Sequence, residues 1–257
     1  MEIVGAYNHL TVTSATGKAE DVVIVNPNPF NTEPLVYFAN ARNITLSCLT
    51  FVGTADGVCL TDTNSNINIE NCRFLLDTET TAAFGGVVIK GKAERIRIAG
   101  NFMEGAGYGF YSEGMSEGRM IKSVTFSGNE VVSPAYGCYM RYTDFDEVNH
   151  NRVLNRTVSV PQAFYGLNMA YCTADEVCGN AIRTRTEVSS GQGINASYFN
   201  RGGLRKALFA NNEIIFRSKG AAYGFHVSFS AGKYVNNTVI MLGKEDAHAV
   251  YCNSSIL

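Results

Sequence analysis

Apolar and polar residues alternate along this chain in short runs, each broken after a few residues by turn formers. The stretch 121–142, IKSVTFSGNEVVSPAYGCYMRY, shows the unit most clearly. Val124-Thr125-Phe126 has the period of two that marks a half-buried strand. Gly128-Asn129 follows, a pair that accepts left-handed backbone angles at low cost. Val131-Val132 resumes a strand, Ser133-Pro134 ends it, and Tyr136-Gly137-Cys138-Tyr139-Met140 alternates again. The spacing predicts three short strands joined by tight turns.

The unit recurs. The first inward position of the strand that begins Tyr-Gly, Cys138 here, is matched by Val58, Val87, Phe110, Leu167, Ile194, Phe225 and Val250, with Val36 as an earlier member. The steps run from 22 to 31 residues, and self-similarity at such a period is the signature of a solenoid. A second column fixes the register. Asn101, Asn129, Asn151, Asn180, Asn212 and Asn237 share one turn slot, each followed two residues later by Met103, Val131, Val153, Ile182, Ile214 or Val239. An amide can donate to one coil and accept from another, so these asparagines are expected to form a ladder at the strand spacing of ~4.8 Å. Leu49 and Cys72 hold the slot earlier, so the ladder should begin at Asn101.

On these features the chain resembles the right-handed parallel β-helix superfamily of pectate lyases and related polysaccharide-active proteins, from about residue 20 to the end. The resemblance implies one all-β solenoid domain over 1–257, of about eight or nine coils. Residues 1–34, with runs at His9–Thr13 and Val22–Val25, read as an irregular first coil or partial cap. It further implies an extracellular, periplasmic or cell-surface location, a polysaccharide or oligosaccharide partner, and a groove along the Tyr-Gly strands. The polygalacturonase signatures (paired Asp-Asp, Gly-His-Gly, Arg-Ile-Lys) are absent from the chain, so the resemblance carries the fold further than the activity.

Composition agrees. Glycine (25) and asparagine (24) suit a chain that turns several times per coil. The net charge of −2 offers no general basic surface for nucleic acid, and no run approaches the ~18 apolar residues of a membrane helix. The start, MEIVGAYNHL, does not read as a signal peptide, and the uncapped ends read as those of a fragment of a longer protein. Seven cysteines without a CxxC pair do not form a complete disulfide framework. Cys138 and Cys252 fall on inward positions, where a thiol packs as a small hydrophobe. Nothing in the sequence sets the oligomeric state.

Candidate chemistry lies on the outward side of the Tyr-Gly strands. One outward column reads Cys59, Val88, Tyr111, Tyr139, Asn168, Asn195, His226, Tyr251. The next reads Thr61, Lys90, Glu113, Arg141, Ala170, Ser197, Ser228, Asn253, and the residue before each glycine adds Tyr108, Tyr136, Tyr165, Gln192, Tyr223 and His248. Lys90, Glu113 and Arg141 should stack on successive coils, Glu113 between two cations. A lyase acting on an acidic sugar needs a cation for the uronate and a base for the C5 proton. Arg141 or Lys90 could supply the first, Lys90 or Tyr139 the second. Tyr111, Tyr139, Asn168 and His226 are the candidate sugar contacts. The same charges also read as a plain surface ion-pair row. A hydrolase would need two carboxylates about 5–9.5 Å apart, and Asp144 with Asp146 is the densest acidic pair. Calcium could sit there with Glu147, but no loop glycine pattern calls for it, so no cofactor is expected. Two functions remain: a polysaccharide-binding or lyase-like degrading protein, or a non-catalytic structural or adhesive module of a larger cell-surface or tailspike protein.

Overall fold

In the computed structural model, which describes residues 1–26, 28, 30, 32–76, 84–105, 107–156, 162–200, 206–243 and 246–255, the chain winds as a right-handed parallel β-helix. Every strand pairing is parallel, and each strand pairs with its equivalent one coil away. Seventeen strands form one sheet, which holds both the Tyr-Gly strands and the strands that follow them. Nine form a second sheet that closes each coil, so nine coils are built among the described residues.

The chain start joins this stack. Glu2–Thr13 pairs with Val36–Ser47, with register irregularities around Ala6, and Val23–Val25 pairs with Thr50–Gly53. The 3-10 turn Ala19–Asp21 is the helical element among the described residues.

Two walls of the core follow the sequence columns. Val58, Val87, Phe110, Cys138, Leu167, Ile194 and Phe225 line the first wall, and Met103, Val131, Val153, Ile182 and Ile214 line the second, all essentially without solvent contact. The last described coil departs from this. Val250 stands in register above Phe225 but is 53% exposed, Cys252 is exposed, and Val239 is only half-buried. The register is as expected for all three. Burial, however, needs a coil on both sides, and no described residue stacks beyond Ala247–Asn253. All seven cysteines are free thiols.

The asparagine ladder is continuous. Each Oδ1 accepts both the backbone N–H and the side-chain Nδ2 of the previous rung, at 2.9–3.0 Å, from Asn101 through Asn237. Each Nδ2 also donates to a carbonyl of the preceding coil, as Asn180 does to Val148 at 2.8 Å. Cys72, which has no amide, donates only its backbone N–H to Asn101, so the ladder starts where the sequence places it. The residue preceding each rung turns through a positive φ: Gly100, Gly128, His150, Gly179, Asn211 and Asn236, as does Asn71 before Cys72. That corner explains the Gly and Asn preference.

The glycine of the Tyr-Gly strand has a different reason. A Cβ on Gly137 would lie 2.1 Å from Val153 Cγ1 and 2.7 Å from the Gly166 carbonyl of the next coil. Gly109, Gly166, Gly193 and Gly224 are confined in the same way, each by the second-wall residue of its own coil. At these five positions the two sheets meet so closely that no side chain fits.

Candidate functional site

The outward side of the Tyr-Gly strands carries three registered columns. Tyr108, Tyr136, Tyr165, Gln192, Tyr223 and His248 follow one another coil by coil. Beside them run Tyr111, Tyr139, Asn168, Asn195, His226 and Tyr251, then Lys90, Glu113, Arg141, Ala170, Ser197 and Ser228. Parallel pairing makes this arrangement unavoidable: equivalent residues sit one strand spacing apart. The two earliest members of the middle column differ from expectation. Cys59 and Val88 occupy outward register positions but are buried (4% and 3% exposed), so the open face begins at Tyr111.

Five tyrosines make a continuous platform. Tyr111 stacks on Tyr139 at 5.1 Å between ring centroids, Tyr136 on Tyr165 at 4.9 Å, and Tyr108 meets Tyr136 at 5.2 Å. Tyr108 and Tyr111 meet edge to face at 5.3 Å. The charges attach to this platform. Tyr111 donates its hydroxyl proton to Glu113 Oε2, and Glu113 Oε1 lies 3.5 Å from Arg141 Nη1. Lys90, though the register partner of Glu113, turns instead over the Tyr111 ring, its Nζ 5.8 Å from the centroid. Glu113 is therefore paired with one cation rather than held between two. Burial, and then the bond to Glu113, pushes the Tyr111 hydroxyl well above its usual range, and burial raises Tyr108 and Tyr136 as well. None of these three can shed a proton near neutral pH.

A fourth column was missed by the sequence reading. Tyr142, Tyr171, Tyr198 and Phe229 each turn the corner after a Tyr-Gly strand with φ of 50–55°, an uncommon conformation for bulky residues. They stack on one another with centroids 4.6–5.1 Å apart. Stacking of this kind is worth ~0.5–1.5 kcal/mol per pair, which offsets the backbone cost. Arg141 joins this column to the platform: its guanidinium lies 4.8 Å from the Tyr142 ring and 5.6 Å from Tyr171, and Nη2 donates to the Tyr142 hydroxyl at 3.3 Å. A signal was available in the sequence, because each of the four follows the residue before the glycine by six positions (136 to 142, 165 to 171, 192 to 198, 223 to 229).

Beyond Arg141 the charged column gives way to Ala170, Ser197 and Ser228. A row of hydrogen bonds flanks these small residues. Asn195 Nδ2 donates to Asn168 Oδ1 at 2.6 Å, and Asn195 Oδ1 lies 2.9 Å from His226 Nδ1. Ser197 donates to the same Asn195 oxygen, so Nδ1 of His226 carries the hydrogen and Nε2 is left as an acceptor. Burial lowers the His226 pKa, which favours this neutral form. The ring stacks on Tyr251 at 5.2 Å.

Asp144 and Asp146 both lie on the strand Thr143–Asn149. Asp144 accepts a hydrogen bond from Thr173, and the pairing with Ile121–Ser127 shifts register at Asp146. Among the described residues no three His, Cys, Asp or Glu side chains lie close enough to share a metal ion, so the Asp144/Asp146/Glu147 calcium alternative gains no ligand set. Of the long loops 76–84, 114–120, 154–164, 183–192 and 198–206, residues 77–83, 157–161 and 201–205 lie outside the described residues.

Residues 14–240 match the family model described as periplasmic copper-binding protein (NosD). No curated protein matches the chain.

Proposed function

The chain belongs to the NosD family of right-handed parallel β-helix proteins, and on that scaffold we propose that it binds an acidic oligosaccharide along the Tyr-Gly face. The observation that carries the reading is the Tyr111–Glu113–Arg141 network set into a platform of five stacked tyrosines. Strands ~4.8 Å apart present contacts at close to the length of one sugar ring. Tyrosine supplies flat apolar area with a polar tip, and Arg141 can grip a carboxylate with two parallel hydrogen bonds. Lys90 adds a second cation, while Asn168 and His226 Nε2 offer hydrogen bonds to hydroxyls farther along. Glu113 occupies the place beside Arg141 that a uronate carboxylate would take, so ligand binding exchanges one carboxylate for another.

The reading is of binding rather than cleavage. Tyr111, under Lys90, is held protonated, and the two carboxylates beside it are engaged, Glu113 by Tyr111 and Arg141 and Asp56 by the Gly85 N–H. The family description, periplasmic, supports a place in the periplasm or outside the cell. The same description names copper. Copper sites are built from thiolate, thioether and imidazole donors. Here burial pushes the Cys59 thiol up to about 11 and those of Cys72 and Cys172 up to about 12, and no three His, Cys, Asp or Glu side chains converge among the described residues. These residues do not fit a copper site, and nothing in the proposal runs through one.

The test is a panel of acidic and neutral polysaccharides, read for binding and for unsaturated products and reducing ends. Lys90→Ala with Arg141→Ala should weaken an acidic ligand by about 10–100-fold, the worth of a charge-assisted hydrogen bond. Unchanged affinity in a folded double variant would move the site elsewhere. No ligand on the panel would leave the structural or adhesive module as the better reading.

A further inference from the structure

Around the corner from the tyrosine platform the chain inserts a short hairpin, residues 114–120. It is pinned at both ends to the next coil: Gly114 donates to the Arg141 carbonyl at 3.0 Å, and Ile121 to the Tyr142 carbonyl at 3.0 Å. Inside it Arg119 donates to the Ser116 carbonyl and Met115 to the Arg119 carbonyl, at 2.9 and 3.1 Å. A Cβ on Gly114 would lie 2.3 Å from the Tyr142 carbonyl, so the hairpin seats this closely only because that residue is glycine. Under it lies a cavity of about 290 Å³, lined by Thr63, Lys92, Glu94, Arg119 and Lys122 among others.

The charges in this cavity do not balance. Among the described residues none of Lys92, Arg119 and Lys122 makes an ion pair. The one lining carboxylate, Glu94, is the register partner of Lys122 and is paired with Arg95 at 2.7 Å. Three cationic residues thus line one cavity against a single carboxylate, in a protein whose net charge is −2. Like charges on adjacent strands repel, and a bound anion removes that cost. Asn64 accepts from Ala41 N–H and gives one Nδ2 hydrogen to the Thr61 carbonyl. The charged and hydroxyl donors it offers a ligand are the two ammonium groups, the guanidinium and the Thr63 hydroxyl. We propose that this cavity is an oxyanion-binding site, separate from the tyrosine face, which takes a sulfate or phosphate group either as the free ion or as a substituent on a sugar.

Calorimetry with inorganic sulfate, inorganic phosphate and glucose 6-sulfate tests it. Saturable binding of at least one is expected, weakened about tenfold or more in the Lys92→Gln/Arg119→Gln/Lys122→Gln variant and falling with added sodium chloride. Binding of the sulfated sugar without the free ions, lost in the same variant, identifies the substituent as the occupant. The three substitutions are on exposed side chains, and circular dichroism checks that the coil stack is intact. Lys90→Ala/Arg141→Ala should leave these affinities unchanged, so failure here and failure of the glycan reading are separable. No saturable binding of any of the three, an affinity unchanged in the triple variant, or an equal loss in Lys90→Ala/Arg141→Ala overturns the proposal.

Discussion

Leucine in place of Asn180 removes one rung where the ladder is complete on both sides, and the cost can be worked from the bonds. Asn180 Oδ1 accepts from Asn151 N–H and Asn151 Nδ2, each at 3.0 Å. Its Nδ2 donates to the Val148 carbonyl at 2.8 Å and to Asn212 Oδ1 at 3.0 Å. Leucine is similar in size, so the change is mainly one of hydrogen bonding. Some partners survive: Asn151 Nδ2 still reaches the Phe126 carbonyl, and Asn212 Oδ1 still accepts the backbone N–H of residue 180. The Asn151 backbone N–H and one Nδ2 hydrogen are stranded, in a place that is 1% exposed and closed to water. At ~1–3 kcal/mol for each stranded donor, the loss should be about 2–6 kcal/mol. Stacked repeats need not unfold in one step, so urea unfolding should be paired with hydrogen exchange at the Asn151 amide. The midpoint and the protection of that amide should fall together. Asn237→Leu, at the half-buried end of the ladder, should cost less, because water can take the lost places. Stability within about 0.5 kcal/mol of the parent, with Asn151 protection unchanged, would refute the reasoning.

Four further outcomes are expected. Gly137→Ala should destabilise by about 1–3 kcal/mol through overpacking against Val153, with partial recovery in Gly137→Ala/Val153→Ala; Gly118→Ala, whose Cβ meets nothing within 4 Å, should be near neutral in the same denaturation assay. Phe225→Ala should cost about 3–5 kcal/mol, since Phe225 is buried against Phe209 and Tyr234. Glu113→Gln should tighten binding of an acidic oligosaccharide, because Arg141 then loses its internal carboxylate; weaker binding on titration would count against the exchange of carboxylates. His226 has a pKa lowered by burial, so the unfolded chain takes up its proton more readily. Stability should be fully present above about pH 6.5 and decline as pH falls below it, a slope that His226→Gln should flatten in thermal unfolding at a series of pH values.

Sequence patterning reaches as far as repetition does in this fold, and the residues show where it stops. The asparagine slot and the two core walls were legible because parallel stacking repeats one constraint at every coil, so a column of like residues reports one environment. Val250 marks the first limit: its register is correct, but burial depends on what lies above a residue, which no column encodes. The glycine column marks a second. It was readable as a register mark, while its cause, the Val153 side chain and the Gly166 carbonyl pressed against Gly137, is a contact between sheets. Tyr142, Tyr171 and Tyr198 mark a third. Next to a strand they look like its continuation, although they turn a left-handed corner for which Gly or Asn is the expected choice. A stack of aromatic rings can hold that corner only if several consecutive coils use it. The preceding coil has no ring there: it places Gly114 at the matching position and spends the room on the hairpin that carries Arg119. The charged residues show why the site was less legible than the fold. Lys90, Glu113 and Arg141 were placed on one column from spacing alone, yet spacing does not say which partner each charge chooses. Lys90 took a tyrosine ring, and Arg141 took a ring, a hydroxyl and a carboxylate together. Those choices depend on side chains from three coils and a corner, and they decide whether the face is a row of surface ion pairs or a place prepared for a ligand's carboxylate.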